Sequence, residues 1–164
     1  MTSNLDLLRR LARSGFEHVL IGGLAGVVHG CSLVTRDIDV CAPFTEANIR
    51  RLLTSLADLG ATHRRLPGKP PLLETAAELA ATSELSLATD RGPLDVIPEV
   101  AGLGAWPRVL ASAEVIDLES GLTCHVLGLD ALIASKRALG RTRDLLAVEE
   151  LEEIRRRLRT GEGP

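Results

Sequence analysis

The sequence predicts an α+β fold in which strands and helices are intermixed along the chain. Three observations carry that class. Short aliphatic runs bounded by turn residues alternate with longer stretches in which apolar residues recur at i, i+3 and i+4. Two pairs of short runs flank strong turn signals, Thr89-Asp90-Arg91-Gly92 and Glu119-Ser120-Gly121, and read as hairpins. No internal repeat or low-complexity tract interrupts the 164 residues, so they are read as one domain over 1–164 whose helical end covers about 128–160.

Leu5, Leu7, Leu8 and Leu11 give a first helix that ends near Ser14-Gly15. His18 to Ile21 is a short strand that runs into Gly22-Gly23, and Leu24 to His29 is a helix stopped by Gly30. Ile38 to Ala42 forms a second strand, ended by Pro43. Thr45 is placed to cap a helix that turns Ile49, Leu52, Leu53 and Leu56 inward and stops at Gly60. "RRLPGKPPLLE" is the strongest loop signal, and the alanine-rich stretch Leu72 to Ala81 predicts a weakly specified short helix. The hairpins pair Leu85–Ala88 with Leu94–Ile97, and Val115–Leu118 with Leu122–Leu127. Two helices around Gly140 close the chain, Leu129–Leu139 and Arg143–Leu158, the second with Leu145, Val148, Leu151, Ile154 and Leu158 at helical spacing.

Composition narrows the function classes. Phe16, Phe44 and Trp106 are the only aromatic residues, 2% of the chain, so the core is aliphatic and few rings can stack on a base. A net charge of −3 gives no global basic field. Two basic clusters remain: Arg155, Arg156, Arg157 and Arg159, and His63, Arg64, Arg65 and Lys69. Each reads either as a solvated face or as an RNA contact. Cys31, Cys41 and Cys124 match no zinc or redox spacing and are expected to be small buried residues in a reducing compartment. No apolar run reaches the roughly 18 residues a membrane span needs, and no signal pattern opens the chain. No membrane partner and a cytoplasmic location are therefore expected.

The chemistry concentrates in "RDIDV". Asp37 and Asp39 on a strand face one way while Ile38 faces the other. In a core two such carboxylates repel and lose hydration, so either they meet solvent or they hold a cation. Asp95 lies between Leu94 and Val96, and alternation points it away from both. If its strand lies beside that of Asp39, three carboxylates converge in an oxygen-only set of the kind that suits Mg²⁺. Gly22-Gly23, just before a helix, would let backbone N–H groups approach an anion closely. Taken singly, Asp37 reads as an N-terminal strand cap, Asp39 as an edge charge and Asp95 as a hairpin residue. Together with the double glycine they match what metal-assisted phosphoryl or nucleotidyl transfer requires.

"GGLAGVVHGCSLVTRDID" resembles the signature of the DNA polymerase beta superfamily of nucleotidyltransferases: two small residues, a spacer, Asp-x-Asp, then a third acid on a later strand. It is closer still to small bacterial stand-alone members, including the AbiEii-like toxin nucleotidyltransferases, whose late motif appears here as "ALIASKRALGRTRDLLAVEEL". The likeness covers Val19 to Val40, the surroundings of Asp95, and Leu129 to Leu151; Thr45 to Arg91 carries no motif of it. It implies a nucleotidyltransferase fold, a small mixed sheet flanked by helices, with the C-terminal helices closing the site.

By that resemblance Gly22 and Gly23 hold a nucleoside triphosphate, Asp37 and Asp39 bind two Mg²⁺, and Asp95 joins one metal and helps activate the attacking hydroxyl. Lys136 reaches the triphosphate with Arg141 nearby, Asp144 orients one of these cations, and Thr35 supports the acidic turn. From spacing alone, Lys136 is equally a surface lysine and Asp144 a first-turn helix acid. His29 is expected to be structural. The family's arginine two residues before that threonine falls at Leu33, and the side chain of Arg36 should point away from the aspartates. The implied activity is Mg²⁺-dependent transfer of a nucleoside monophosphate from NTP to a hydroxyl of a tRNA 3′ end or a protein. A toxin of this kind would have an antitoxin partner. The alternatives are a small-molecule acceptor, as in antibiotic-modifying nucleotidyltransferases, or a degenerate protein that binds nucleotide or partner without turnover.

Overall fold

The computed structural model describes residues 2–32 and 34–161 and is an α+β fold. Seven strands form one mixed sheet in the order β3-β4-β5-β2-β1-β9-β8. The inner strands are β1 (Val19–Ile21), β2 (Ile38–Cys41), β5 (Gly92–Ile97) and β9 (Leu122–Leu127). The outer ones are β3 (Thr62–His63), β4 (Leu85–Thr89) and β8 (Ala113–Glu119). Pairing is parallel between β2 and β5 and between β1 and β9, and antiparallel elsewhere. The buried residues form one aliphatic cluster in which Leu20, Ile38, Leu94, Leu127 and Leu132 are almost wholly enclosed.

Helices pack around this sheet. The first, α1 (Thr2–Arg13), buries Leu7, Leu8 and Leu11, and α2 (Gly22–Val28) leaves the sheet directly from β1. The two glycines are thus the opening turn of α2 itself, not a loop ahead of it. Thr45 caps α3 (Glu46–Leu56) by accepting from the Asn48 amide, and Ile49, Leu52 and Leu56 are buried with Leu53 half-buried beside them. α4 is only Ala76–Ala80, since Thr75 and Glu78 form a reciprocal capping box that starts it later than alanine content alone suggests. The final pair, α6 (Leu129–Leu139) and α7 (Thr142–Thr160), is separated by Gly140 in the left-handed conformation.

Several elements differ from the sequence expectation. The sequence assigns no element to Thr62–His63, just ahead of the proline-rich loop, where the structure has β3, nor to the two-stranded sheet of β6 (Glu99–Val100) and β7 (Gly104–Ala105) followed by α5 (Trp106–Ala111). These pieces are too short to show a period. On α7, Leu145 and Leu158 face outward, at 46% and 68% exposure. The buried face is set instead by Asp144, Ala147, Val148 and Leu151, about one residue out of phase with Leu145. Cys31, Cys41 and Cys124 are all buried, and none is in a disulfide among the described residues. Burial pushes Cys41 up to about 12 and Cys124 up to about 11, so both stay protonated. No helix among the described residues is long and apolar enough to cross a membrane.

Candidate functional site

The parallel register of β2 and β5 sets Asp39 directly opposite Asp95, with Ile38 opposite Leu94 and Val40 opposite Val96. The four apolar partners are fully buried on one face of the sheet, and alternation puts the two aspartates together on the other. Asp37, two residues before Asp39, extends the same row, and Thr35 Oγ1 donates to its carbonyl at 3.4 Å. Three carboxylates therefore share one patch, with the hydrophobic strand sequence as the lever that holds them there.

The glycines fit this patch closely. Gly22 has φ of +66°, where a side chain is strained, and a Cβ there would lie 2.8 Å from both Cβ and Cγ of Asp39. A Cβ on Gly23 would lie 2.9 Å from Cβ and Oγ1 of Thr35. The double glycine is thus required first by the acidic strand packing against the start of α2. Asp39 is left desolvated: burial raises its pKa, the charges of Asp95 and Asp37 raise it further, and Arg143 and Arg64 offset only part of this. Asp95 Oδ1 is buried without a hydrogen-bond partner among the described residues. An orphaned carboxylate oxygen beside a desolvated carboxylate has the chemistry a hard divalent cation would satisfy, although among the described residues no three such side chains already stand in ligating positions.

Arg64 also belongs to the patch. Its backbone N–H donates to Ser86 O at 2.8 Å, and its Nε donates to Ser86 Oγ at 3.2 Å. From there Nη1 donates to Asp37 Oδ2 at 3.0 Å and Nη2 to Asp95 Oδ2 at 2.5 Å. Arg65 is a weaker neighbour, 3.6 Å from Asp95 Oδ2 and bonded to Glu84 at 2.8 Å. Arg36 is exposed and, among the described residues, makes no ion pair with the aspartates; the guanidinium that meets them comes from far along the chain. Sequence reasoning missed Arg64 because it adjoins the proline-rich loop and its pairing with β4 is non-local.

The C-terminal helices supply the other charged wall. Asp144 and Lys136 are both buried, with Lys136 Nζ 3.8 Å from Asp144 Oδ1, while Arg141 Nε donates to Asp144 Oδ2 at 2.5 Å. Lys136 is therefore not a surface lysine. Arg141 and Arg143 lie within electrostatic reach of Asp39. Arg143, next to Asp144 in the late motif, was passed over in the sequence. Glu150 of α7 accepts from Cys31 Sγ at 2.8 Å and from the Ser32 amide at 2.7 Å, tying the segment ahead of the aspartates to the helix pair. His29 Nε2 bonds the Leu127 carbonyl at 2.8 Å and serves structure. Leu33 lies outside the described residues.

The basic cluster on α7 is matched by acids. Arg155 pairs with Asp130 and Glu152, Arg156 and Arg157 pair with Glu153, and Arg159 lies near Asp130. It is a solvated, charge-balanced face. No protein-family model and no curated protein matches the chain.

Proposed function

We propose that the chain is a Mg²⁺-dependent nucleotidyltransferase that moves a nucleoside monophosphate from NTP to a hydroxyl acceptor. The observation that carries this reading is the Asp39–Asp95 pair on adjacent parallel strands, completed by Asp37 and abutted by Gly22. The fold is read as a small nucleotidyltransferase fold, with α6 and α7 as its closing helices. Asp37, Asp39 and Asp95 are the ligands for divalent cations; when bound, such ions lower the pKa of an acceptor hydroxyl and neutralise charge on the transferring phosphate.

The chain's own groups account for the rest. Arg141 and Arg143, close enough to Asp39 to act on its charge, supply positive potential for a triphosphate. Asp144 positions Arg141 and holds Lys136 in the helix interior, so Lys136 acts through that carboxylate rather than as a free surface charge. Gly22 and Gly23 keep the start of α2 free of side chains at the patch.

The acceptor is a tRNA 3′ end or a protein hydroxyl, in the manner of the toxins the sequence resembles. One observation favours a small-molecule acceptor instead: the arginines of α7, the main candidate RNA contact, are already balanced by Asp130, Glu152 and Glu153. Incubation of the pure protein with labelled NTPs and Mg²⁺, with total RNA in one arm and hydroxyl-rich antibiotics in another, tests both. Label should pass to one acceptor class with release of pyrophosphate, and Asp37→Ala or Asp39→Ala should abolish it. Transfer that survives either substitution refutes the assignment of the acids.

A further inference from the structure

We propose that Arg64 is a displaceable counterion that occupies the acidic patch in the metal-free protein and yields it when a divalent cation binds. The proposal rests on the reading of Asp37, Asp39 and Asp95 as cation ligands. Three carboxylates on adjacent strands repel one another, and some positive charge must stabilise the metal-free fold. The structure shows which group does so: one guanidinium spans Asp37 and Asp95, donating at 3.0 and 2.5 Å to one Oδ2 of each.

The guanidinium is held from behind. Ser86 accepts from both the Arg64 amide and its Nε, and Ser86 sits opposite Asp95 in the β4–β5 register. The backbone tie fixes the root of the side chain, and because the guanidinium is one rigid plane, Nε, Nη1 and Nη2 leave Ser86, Asp37 and Asp95 together when the side chain swings away. Arg64 itself directly follows β3, the edge strand of the sheet, which is only two residues long. The occupation is incomplete, because Asp95 Oδ1 stays buried without a partner among the described residues and Asp39 receives no more than a distant share of the charge of Arg64. A monovalent cation that satisfies two of three acids through one oxygen each suits a placeholder. A dication offers twice the charge in a smaller volume and can meet the oxygens Arg64 leaves open.

Metal affinity is then the result of an exchange: the ion must displace a guanidinium or sit beside it. One positive charge about 4 Å from a dication is worth a factor of roughly 30 in affinity even at the dielectric of water. Removing the charge while keeping a polar side chain, Arg64→Gln, should tighten binding of Mn²⁺ alone by about that factor, read by calorimetry without nucleotide. The same variant should be less stable without metal and gain more in Tm from Mn²⁺ than the wild type does. The wild-type chain supplies an arm that needs no variant to fold. The Arg64 Nε–H and Nη–H resonances should exchange slowly in metal-free protein, where all three nitrogens donate hydrogen bonds, and should shift and exchange faster at saturating Mg²⁺.

Two results would overturn the idea. One is Mn²⁺ binding to Arg64→Gln that is no tighter than to the wild type; the other is guanidinium signals that stay unchanged at saturating Mg²⁺. If in either case Asp95→Asn still abolishes Mn²⁺ binding, the acids remain the cation site and only the role of Arg64 is lost. Mn²⁺ binding that is absent in wild type and Arg64→Gln alike, or that is indifferent to Asp95→Asn, removes the cation site and the proposal together.

Discussion

Gly22→Ala is the substitution most directly controlled by the site geometry. Its backbone has φ of +66°, a left-handed conformation that costs a residue with a Cβ about 1–2 kcal/mol. The new methyl would also stand 2.8 Å from two carbon atoms of Asp39, well inside ordinary contact, so the strand or the helix start must shift. Displacing a packed strand typically adds about 1–3 kcal/mol, for a total loss of roughly 3 kcal/mol. Gly26, one turn further along the same helix, is the internal control. A Cβ there meets Cys31 Cβ at 3.5 Å, ordinary contact, and a helical glycine gives way to alanine with a gain of about 0.5–1 kcal/mol. Urea titration of both variants at pH 7 measures the contrast, and divalent-cation binding should fall only in Gly22→Ala. Equal stability for the two alanines would refute the claim that the glycine pair is shaped by the acidic strand.

Three other perturbations follow from burial and charge. His18 is buried against Phe16, and burial lowers its pKa to about 4, so the folded state refuses a proton that the unfolded chain accepts below about pH 6.5. The stability it contributes is complete above about pH 6.5 and falls by roughly 3 kcal/mol on going down to pH 4, a slope that His18→Gln should remove from urea titrations. Asp144→Asn leaves the Lys136 ammonium buried beside a neutral amide and should cost about 3 kcal/mol in the same assay; a loss below 1 kcal/mol would mean that Lys136 reaches water. Asp39→Asn should act in the opposite sense. Its raised pKa means the fold prefers the neutral carboxyl, so charge on Asp39 destabilises as pH rises through the folded value, and its removal should raise stability at pH 7 while ending cation binding.

Local chemistry made most of the fold legible. Thr45 and the Ile49, Leu52, Leu56 stripe specify α3, Gly140 separates α6 from α7, and both hairpins announce themselves at Gly92 and Gly121. Leu145 and Leu158 share the helical spacing of Val148 and Leu151 yet face outward, because a leucine-rich helix offers more than one apolar face and only the neighbour chosen in the fold decides among them. The half of the site carried by Asp37, Asp39 and Asp95 was readable because period-2 alternation fixes which way a strand residue points. That β2 and β5 are neighbours, aligned so that Asp39 meets Asp95, had to come from the structure. Arg64 was illegible for the same reason in a stronger form: its partners lie 27 and 31 residues away, and no periodicity records a contact at that range.

The two buried charge systems on either side of Asp39 differ in a way that separates structure from function. Around Asp144 the account closes locally, for one carboxylate meets Lys136 and Arg141 and its burial holds α6 against α7. Around Asp39 it does not close: three acids share a patch, a single guanidinium bridges two of them, and one oxygen of Asp95 has no partner among the described residues. A sequence selected for stability alone would relieve that patch with one amide. Keeping all three acids, and two glycines shaped to admit them, is consistent with a site whose missing charge arrives with its ligand. The opposite signs expected for Asp39→Asn and Asp144→Asn put that distinction to a measurement that requires no knowledge of the substrate.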